Sequence, residues 1–161
     1  MEEQNVHLGF RLLDNNIKRS NKLGDFILND VIDLEYWEVR YTLPELMMNG
    51  LDELISYFEK KYNLKNVTLA EKVSFYFFVK DELVGISQME MQALTPMVTQ
   101  KSNVIPSPRS KEYPALMELH MLSDGCPLRA KKIKKLKYSE VFDMLLAITI
   151  KSEEKYVIKE K

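Results

Sequence analysis

The chain has 161 residues, 45% hydrophobic and 29% charged, with a net charge of −1. That is enough chain for one domain with its own core, and it excludes both a disordered polyelectrolyte and an overall polycation. One cysteine and two histidines exclude an intrachain disulfide and a thiolate-rich zinc site, and the five glycines exclude three common phosphate or nucleophile loops. Those glycines, Gly9, Gly24, Gly50, Gly85 and Gly125, stand at least fifteen residues apart. The dinucleotide fingerprint, the Walker loop and the Gly-x-Ser-x-Gly elbow all need them clustered. No metal and no cofactor is expected.

Taken in chain order, the start Met1-Glu2-Glu3-Gln4-Asn5 lacks the basic region and apolar run of a signal peptide. No stretch reaches the ~18 to 20 apolar residues of a membrane span. The expected location is cytoplasmic, or nuclear or viral intracellular. Val6–Leu13 and Leu34–Tyr41 (LEYWEVRY) read as paired strands, the second because it is aromatic and β-branched. Thr42-Leu43-Pro44-Glu45 has the form of a capping box opening a helix. Apolar residues follow at Leu46, Met47, Leu51, Leu54, Ile55 and Phe58, with Gly50 interrupting, Asn49 as a candidate second cap, and an end near Tyr62.

Thr68-Leu69-Ala70-Glu71 is a second capping box. It also completes the glycosylation pattern Asn66-Val67-Thr68, which is read here as a cap and not as a glycan acceptor. The next stretch is ambiguous: Val73, Phe75, Phe77 and Val79 alternate, while Leu69, Val73, Tyr76 and Phe77 share a helical face. A helix is expected first, then a strand after Asp81-Glu82. Residues 95–114 hold four of the six prolines and form the clearest loop. Ala115–Leu122 is a short apolar element, Ser123-Asp124-Gly125 a turn, and Pro127 the opening of a basic helix. Ser139 caps a helix from Glu140, and 148–150 with 156–158 suggest a closing hairpin. The methionines are expected to fill gaps in the core.

The near-zero net charge conceals a split: residues 1–125 carry −6 and residues 126–161 carry +5. Arg129, Lys131, Lys132, Lys134, Lys135 and Lys137 place six cations in nine residues with no acid among them. As a helix, this run would lay Ala130, Ile133 and Leu136 against the body and fan the cations outward. Such a cluster repels itself unless something compensates. It is either a solvated face or a contact for nucleic-acid backbone or an acidic protein. Lysine dominates it, and lysine is a point charge, so any nucleic-acid contact would be to backbone and without sequence specificity. The nearest aromatics in sequence, Tyr113, Tyr138 and Phe142, are too sparse for a stacking platform. Asp25, Asp30, Asp33, Glu35 and Glu38 lie in a stretch without Lys or Arg and are the second candidate contact, to the basic run, a second copy or a partner.

For catalysis only His7 and His120 are available as histidines, and His120 has Glu118, Ser123, Asp124 and Cys126 near it in sequence. A His120–Cys126 pair would be a candidate nucleophile. His120, Asp124 and Cys126 match no zinc pattern.

The expected fold is α+β, a helix-rich single domain with a small antiparallel sheet, all-α being the alternative. Residues 1–94 would form an acidic α+β lobe, 95–114 a Pro/Ser-rich loop, and 115–161 a basic C-terminal helical segment packing on the same domain. The expected function is non-catalytic binding by a small subunit, adaptor or regulator of a larger assembly, through the basic 129–137 element. A protein partner is expected, nucleic-acid backbone contact is open, no membrane is expected, and a homo-oligomer is open. The alternatives are a small enzyme using His120 and Cys126 or a purely structural homo-oligomer.

Overall fold

A computed structural model describes residues 17–95 and 114–157, with side chains of the last helix as far as residue 153. Among these residues the chain is helix-rich, with one two-stranded antiparallel sheet, as expected. The described residues group into two compact units, 17–31 with 43–84, and 32–42 with 85–95 and 114–157.

In the first unit, β1 (Lys22–Leu23) and β2 (Phe26–Ile27) form a hairpin with Leu23 opposite Phe26. A ribbon this short does not hold in water unaided. Aromatic packing supplies the support: Phe26 stacks on Tyr62 at 3.9 Å and meets Phe58 and Phe75 at 6.1 and 6.4 Å. Helix α1 (Leu43–Asn49) and helix α2 (Leu51–Tyr62) follow. Leu54, Ile55 and Phe58, spaced as the periodicity predicts, are buried, and α2 ends at Tyr62 with Lys60 and Lys61 in its last turn. Gly50 does separate the two helices. Its φ of 108° is closed to residues with a Cβ, and no side chain caps α2 there, Asn49 included.

Helix α3 (Leu69–Ala93) opens on the capping box read from the sequence. The Glu71 N–H donates to Thr68 Oγ1 at 3.3 Å, and the Thr68 N–H donates back to Glu71 Oε2 at 2.9 Å. These bonds, backbone first, hold the Glu71 carboxyl below its usual range. Contrary to expectation, α3 does not give way to a strand after Asp81-Glu82. Phe75, Val79, Ile86 and Glu90 are its buried positions, at steps of four, seven and four, which is a helical stripe. The alternation of aromatics had no sheet to serve, and Leu, Glu, Met, Gln and Ala after residue 82 are good helix formers.

In the second unit, the expected strand Leu34–Tyr41 is absent. Glu35 makes a single antiparallel bridge to Lys137, and the chain then turns helical, passing through a turn of π-helix at Glu38–Thr42 into α1. Tyr36 and Val39 are buried three residues apart, the helical interval. Because helix is already running at Thr42, its hydroxyl donates to Trp37 O at 3.4 Å and the expected capping box with Glu45 does not form. The partner strand proposed at Val6–Leu13 and residues 96–113 of the expected loop lie outside the described residues.

Helix α4 (Pro114–Leu122), the turn at Asp124 and Gly125 (both with positive φ) and helix α5 (Pro127–Ile133, with Pro127 in its first turn) follow the sequence reading. Helix α5 stops at Ile133, so Lys134–Leu136 form a turn and the basic run is not one helix. Helix α6 (Tyr138–Val157) starts one residue before Ser139, and the Glu140 carboxylate accepts the Lys137 N–H at 2.9 Å. It runs through residues 148–157 of the stretch read as a closing hairpin, residue 158 lying outside the described residues. No Gly or Pro lies there to turn the chain, and Thr149 and Ser152 donate back to Leu145 O and Thr149 O as helical hydroxyls do. The methionines are also placed differently from expectation: Met48, Met91 and Met117 are 89%, 68% and 52% exposed.

Two glycines with open space around them give opposite expectations. Gly85 lies inside α3, and a Cβ there meets nothing within 4 Å. Gly85→Ala therefore raises stability by about 0.5–1 kcal/mol through the unfolded chain. Gly50 has equally free surroundings but φ of 108°, so Gly50→Ala lowers stability by about 1–3 kcal/mol. Urea denaturation of the two variants, read by circular dichroism, checks both signs.

Candidate functional site

The basic run is organised by segment 34–42 of the same unit. The Tyr36 N–H donates to Leu136 O at 2.7 Å, the Trp37 N–H to Lys134 O at 3.3 Å, and the Tyr138 N–H to Leu34 O at 2.9 Å. These bonds hold the carbonyls of 134 and 136 and the Tyr138 N–H outside a helical ladder, so α5 does not run on through the basic run into α6. Mutual repulsion among the lysines works in the same direction.

Side chains lock the segment from beneath. The Arg40 guanidinium bridges two carboxylates, donating to Glu90 Oε2 and, at 3.3 Å, to Glu118 Oε2. The other oxygen of each carboxylate accepts a tyrosine hydroxyl: Tyr138 donates to Glu90 Oε1 at 2.6 Å and Tyr36 to Glu118 Oε1. Both tyrosines are fully buried. Burial first, and then the hydrogen bond to Glu118 or Glu90, pushes each hydroxyl well above the ordinary tyrosine range. Burial alone would weaken the charge on Arg40, but Glu118 and Glu90 outweigh it and hold the guanidinium above its usual value.

Segment 34–42 and the basic run together line a pocket of about 510 Å³, through Glu35, Trp37, Lys131, Lys132, Lys134 and Lys135. Trp37 is the only tryptophan in the chain. Its ring lies 4.5 Å from Tyr41, and the Lys134 ammonium sits 3.6 Å from its centroid. With both partners half-buried, a cation–π contact of this kind is worth roughly 0.5–2 kcal/mol.

The six cations predicted as a group divide by their surroundings. Arg129 pairs with Asp124 at 3.0 Å and Lys137 with Asp33 at 2.8 Å. The hydrogen bond and then the charge of Asp33 raise the Lys137 ammonium above the usual lysine value. Lys134 covers Trp37. Lys131, Lys132 and Lys135 are exposed, and among the described residues no acid lies within ion-pairing distance of them.

The acidic residues are dispersed. Asp25 is exposed in the hairpin turn and Asp30 belongs to the first unit, where its charge, after burial, raises the Glu82 carboxyl. Asp33 and Glu35 belong to the second unit and meet Lys137. Glu38 is 6% exposed, so it presents no face to solvent.

His120 and Cys126 share a second pocket, about 160 Å³, with Leu116, Leu119, Ser123, Gly125, Pro127 and Ala130. The backbone N–H groups of Arg129 and then Leu128 pull the Cys126 thiol below its ordinary value, although neither closes a side-chain cap bond. Among the described residues no hydrogen bond joins His120 to Cys126; the imidazole packs on Gly125, 3.0 Å from where a Cβ would stand. His7 lies outside the described residues. Among the described residues no three His, Cys, Asp or Glu are grouped to hold a metal ion, and no helix is long and apolar enough to cross a membrane.

Trp37 is the residue that sequence reasoning missed. It lies 94 positions before Lys131, and a strand reading of 34–41 gives no reason to bring it to the lysines. The usable signal was the complementarity of charge between the 25–38 stretch and the basic run. The chain matches no protein-family model, no curated protein and no solved structure.

The lock makes stability fall at high pH. Free tyrosines ionise near ~10, so above that pH the unfolded chain releases protons that native Tyr36 and Tyr138 retain. Stability is therefore fully present below about pH 10 and declines above it by roughly 1.4 kcal/mol per pH unit for each tyrosine. Tyr138→Phe makes that slope shallower by one tyrosine and lowers stability at neutral pH by about 1–3 kcal/mol, because Glu90 Oε1 loses its donor. Urea titrations between pH 8 and 11 measure both effects.

Proposed function

We propose that this chain is a non-catalytic nucleic-acid-binding subunit or adaptor that holds a phosphate backbone on the groove lined by Lys131, Lys132, Lys134 and Lys135. The observation that carries the reading is the contrast within the basic run. Arg129 and Lys137 have their acids, whereas the lysines facing the groove have none among the described residues. Clustered exposed ammonium groups raise one another's free energy, and an incoming polyanion relieves that repulsion while releasing its own counterions. Lysine supplies charge without the rigid fork that reads a base edge, so the binding is general in sequence.

The test is a salt titration of labelled oligonucleotide binding by fluorescence anisotropy. Three to four lysine–phosphate contacts on a single strand give a slope of log K against log salt of roughly −2 to −3. Lys131→Gln, Lys132→Gln and Lys135→Gln together should bring the slope to about −0.7, the one contact left to Lys134, and weaken binding at least tenfold at low salt. Affinity unchanged in the triple variant would overturn the assignment. Binding of poly-glutamate in preference to any oligonucleotide would also overturn it, in favour of an acidic protein surface.

A further inference from the structure

We infer that the occupant of the groove is a single strand, one base of which stacks on Trp37 in the place held by the Lys134 ammonium, while that ammonium moves to an adjoining phosphate. This rests on the reading of the groove as a phosphate-backbone site and adds the feature that selects the kind of strand.

Trp37 is suited to a platform because it is held and yet not buried. Its N–H is bonded to Lys134 O, Thr42 Oγ1 donates to its carbonyl, and its neighbour Tyr36 is fixed in the core through Glu118. The indole is only partly covered and lines the groove with the lysines. What rests over the ring is an ammonium at 3.6 Å, on a flexible four-carbon stem. A stacked base covers more of the ring face than an ammonium does, and the displaced lysine gains a phosphate instead of losing its partner outright. The exchange therefore improves both contacts together.

The groove volume of about 510 Å³ lies in the range that takes a ligand of nucleotide size. A duplex offers the same phosphates but keeps its bases stacked inside, and delivering one to Trp37 means unpairing it first. Glu35, the one acid among the described residues lining the groove, disfavours a phosphate beside it and leaves the backbone to the lysine side.

The single tryptophan makes the test direct, since all indole fluorescence comes from the groove. The wild-type chain is titrated with a 12-nucleotide single strand, the same strand made abasic, the corresponding duplex, and inorganic polyphosphate. The expected result is strong quenching by the intact strand alone, with affinity about tenfold or more above that of the abasic strand. Trp37→Leu, shown folded by its circular dichroism, should bind intact and abasic strands equally. Lys134→Gln should keep the quenching and make the salt slope shallower by about 0.7, one phosphate contact. Equal binding of intact and abasic strands by wild type, without quenching, overturns the stacking inference and leaves the phosphate groove standing. An unchanged salt slope in Lys134→Gln overturns the exchange. Failure of all four polyanions to bind overturns both.

Discussion

The Arg40 guanidinium, set between Glu90 and Glu118, is the interaction on which the second unit depends. Removing a carboxylate from water costs several kcal/mol, and a single opposite charge seldom returns it. Here each carboxylate has two donors, the shared arginine on one oxygen and a buried tyrosine hydroxyl on the other. The four acceptor atoms are supplied by one guanidinium and two phenols, and in a low-dielectric setting such bonds reinforce one another. The arrangement joins α3, α4 and α6 to segment 34–42 through residues far apart in sequence. It is directional, so it sets the position of that segment where apolar contact alone would permit sliding.

The position of the segment then determines the electrostatics of the surface. With Tyr36 held below, Trp37 comes to lie beside Lys134, and the Tyr36 and Trp37 N–H groups claim the carbonyls that α5 would need in order to continue. The basic run is divided as a result. Arg129 and Lys137, at its two ends, find acids and act as fastenings. The lysines between them are gathered around an indole. A continuous helix would have fanned the same charges outward over a wide arc; the turn at Lys134–Leu136 concentrates them on one groove.

Features of the fold that are settled by neighbours in sequence were legible. The Thr68–Glu71 box needs only four residues, the Asp124-Gly125 turn two, the break at Gly50 one, and Pro127 sits where a missing N–H is harmless. The failures were of another kind. The aromatics of α3 alternate and also fall on a helical face, and only the burial of Phe75, Val79 and Ile86 decides between the two. LEYWEVRY has strand propensity, but it met a partner at a single bridging position, Glu35 opposite Lys137, and the chain then coiled. The sequence reading located the lysine run, but of the five acids it offered as a facing surface only Asp33 and Glu35 meet that run, at Lys137. It could not supply Trp37, because the contact that delivers it is Arg40 to Glu90 and Glu118, and nothing local marks those three residues as partners.

This division of labour bears on what the groove can bind. The aromatic element is rigid because it is anchored through a buried network, whereas the cations are on long stems attached to a short helix and a turn. A rigid ring with mobile charges around it suits a ligand whose flat groups are regular but whose backbone path varies. It suits poorly a ligand that demands fixed, forked donors, for which arginine held by neighbours would be the better residue. The two described arginines of this unit are both committed elsewhere, Arg40 to the lock and Arg129 to Asp124. Among the described residues the cations left to the groove are lysines alone, and its chemistry follows from that: attraction to charge and tolerance of sequence, with a stacking surface as the one feature able to distinguish one polyanion from another.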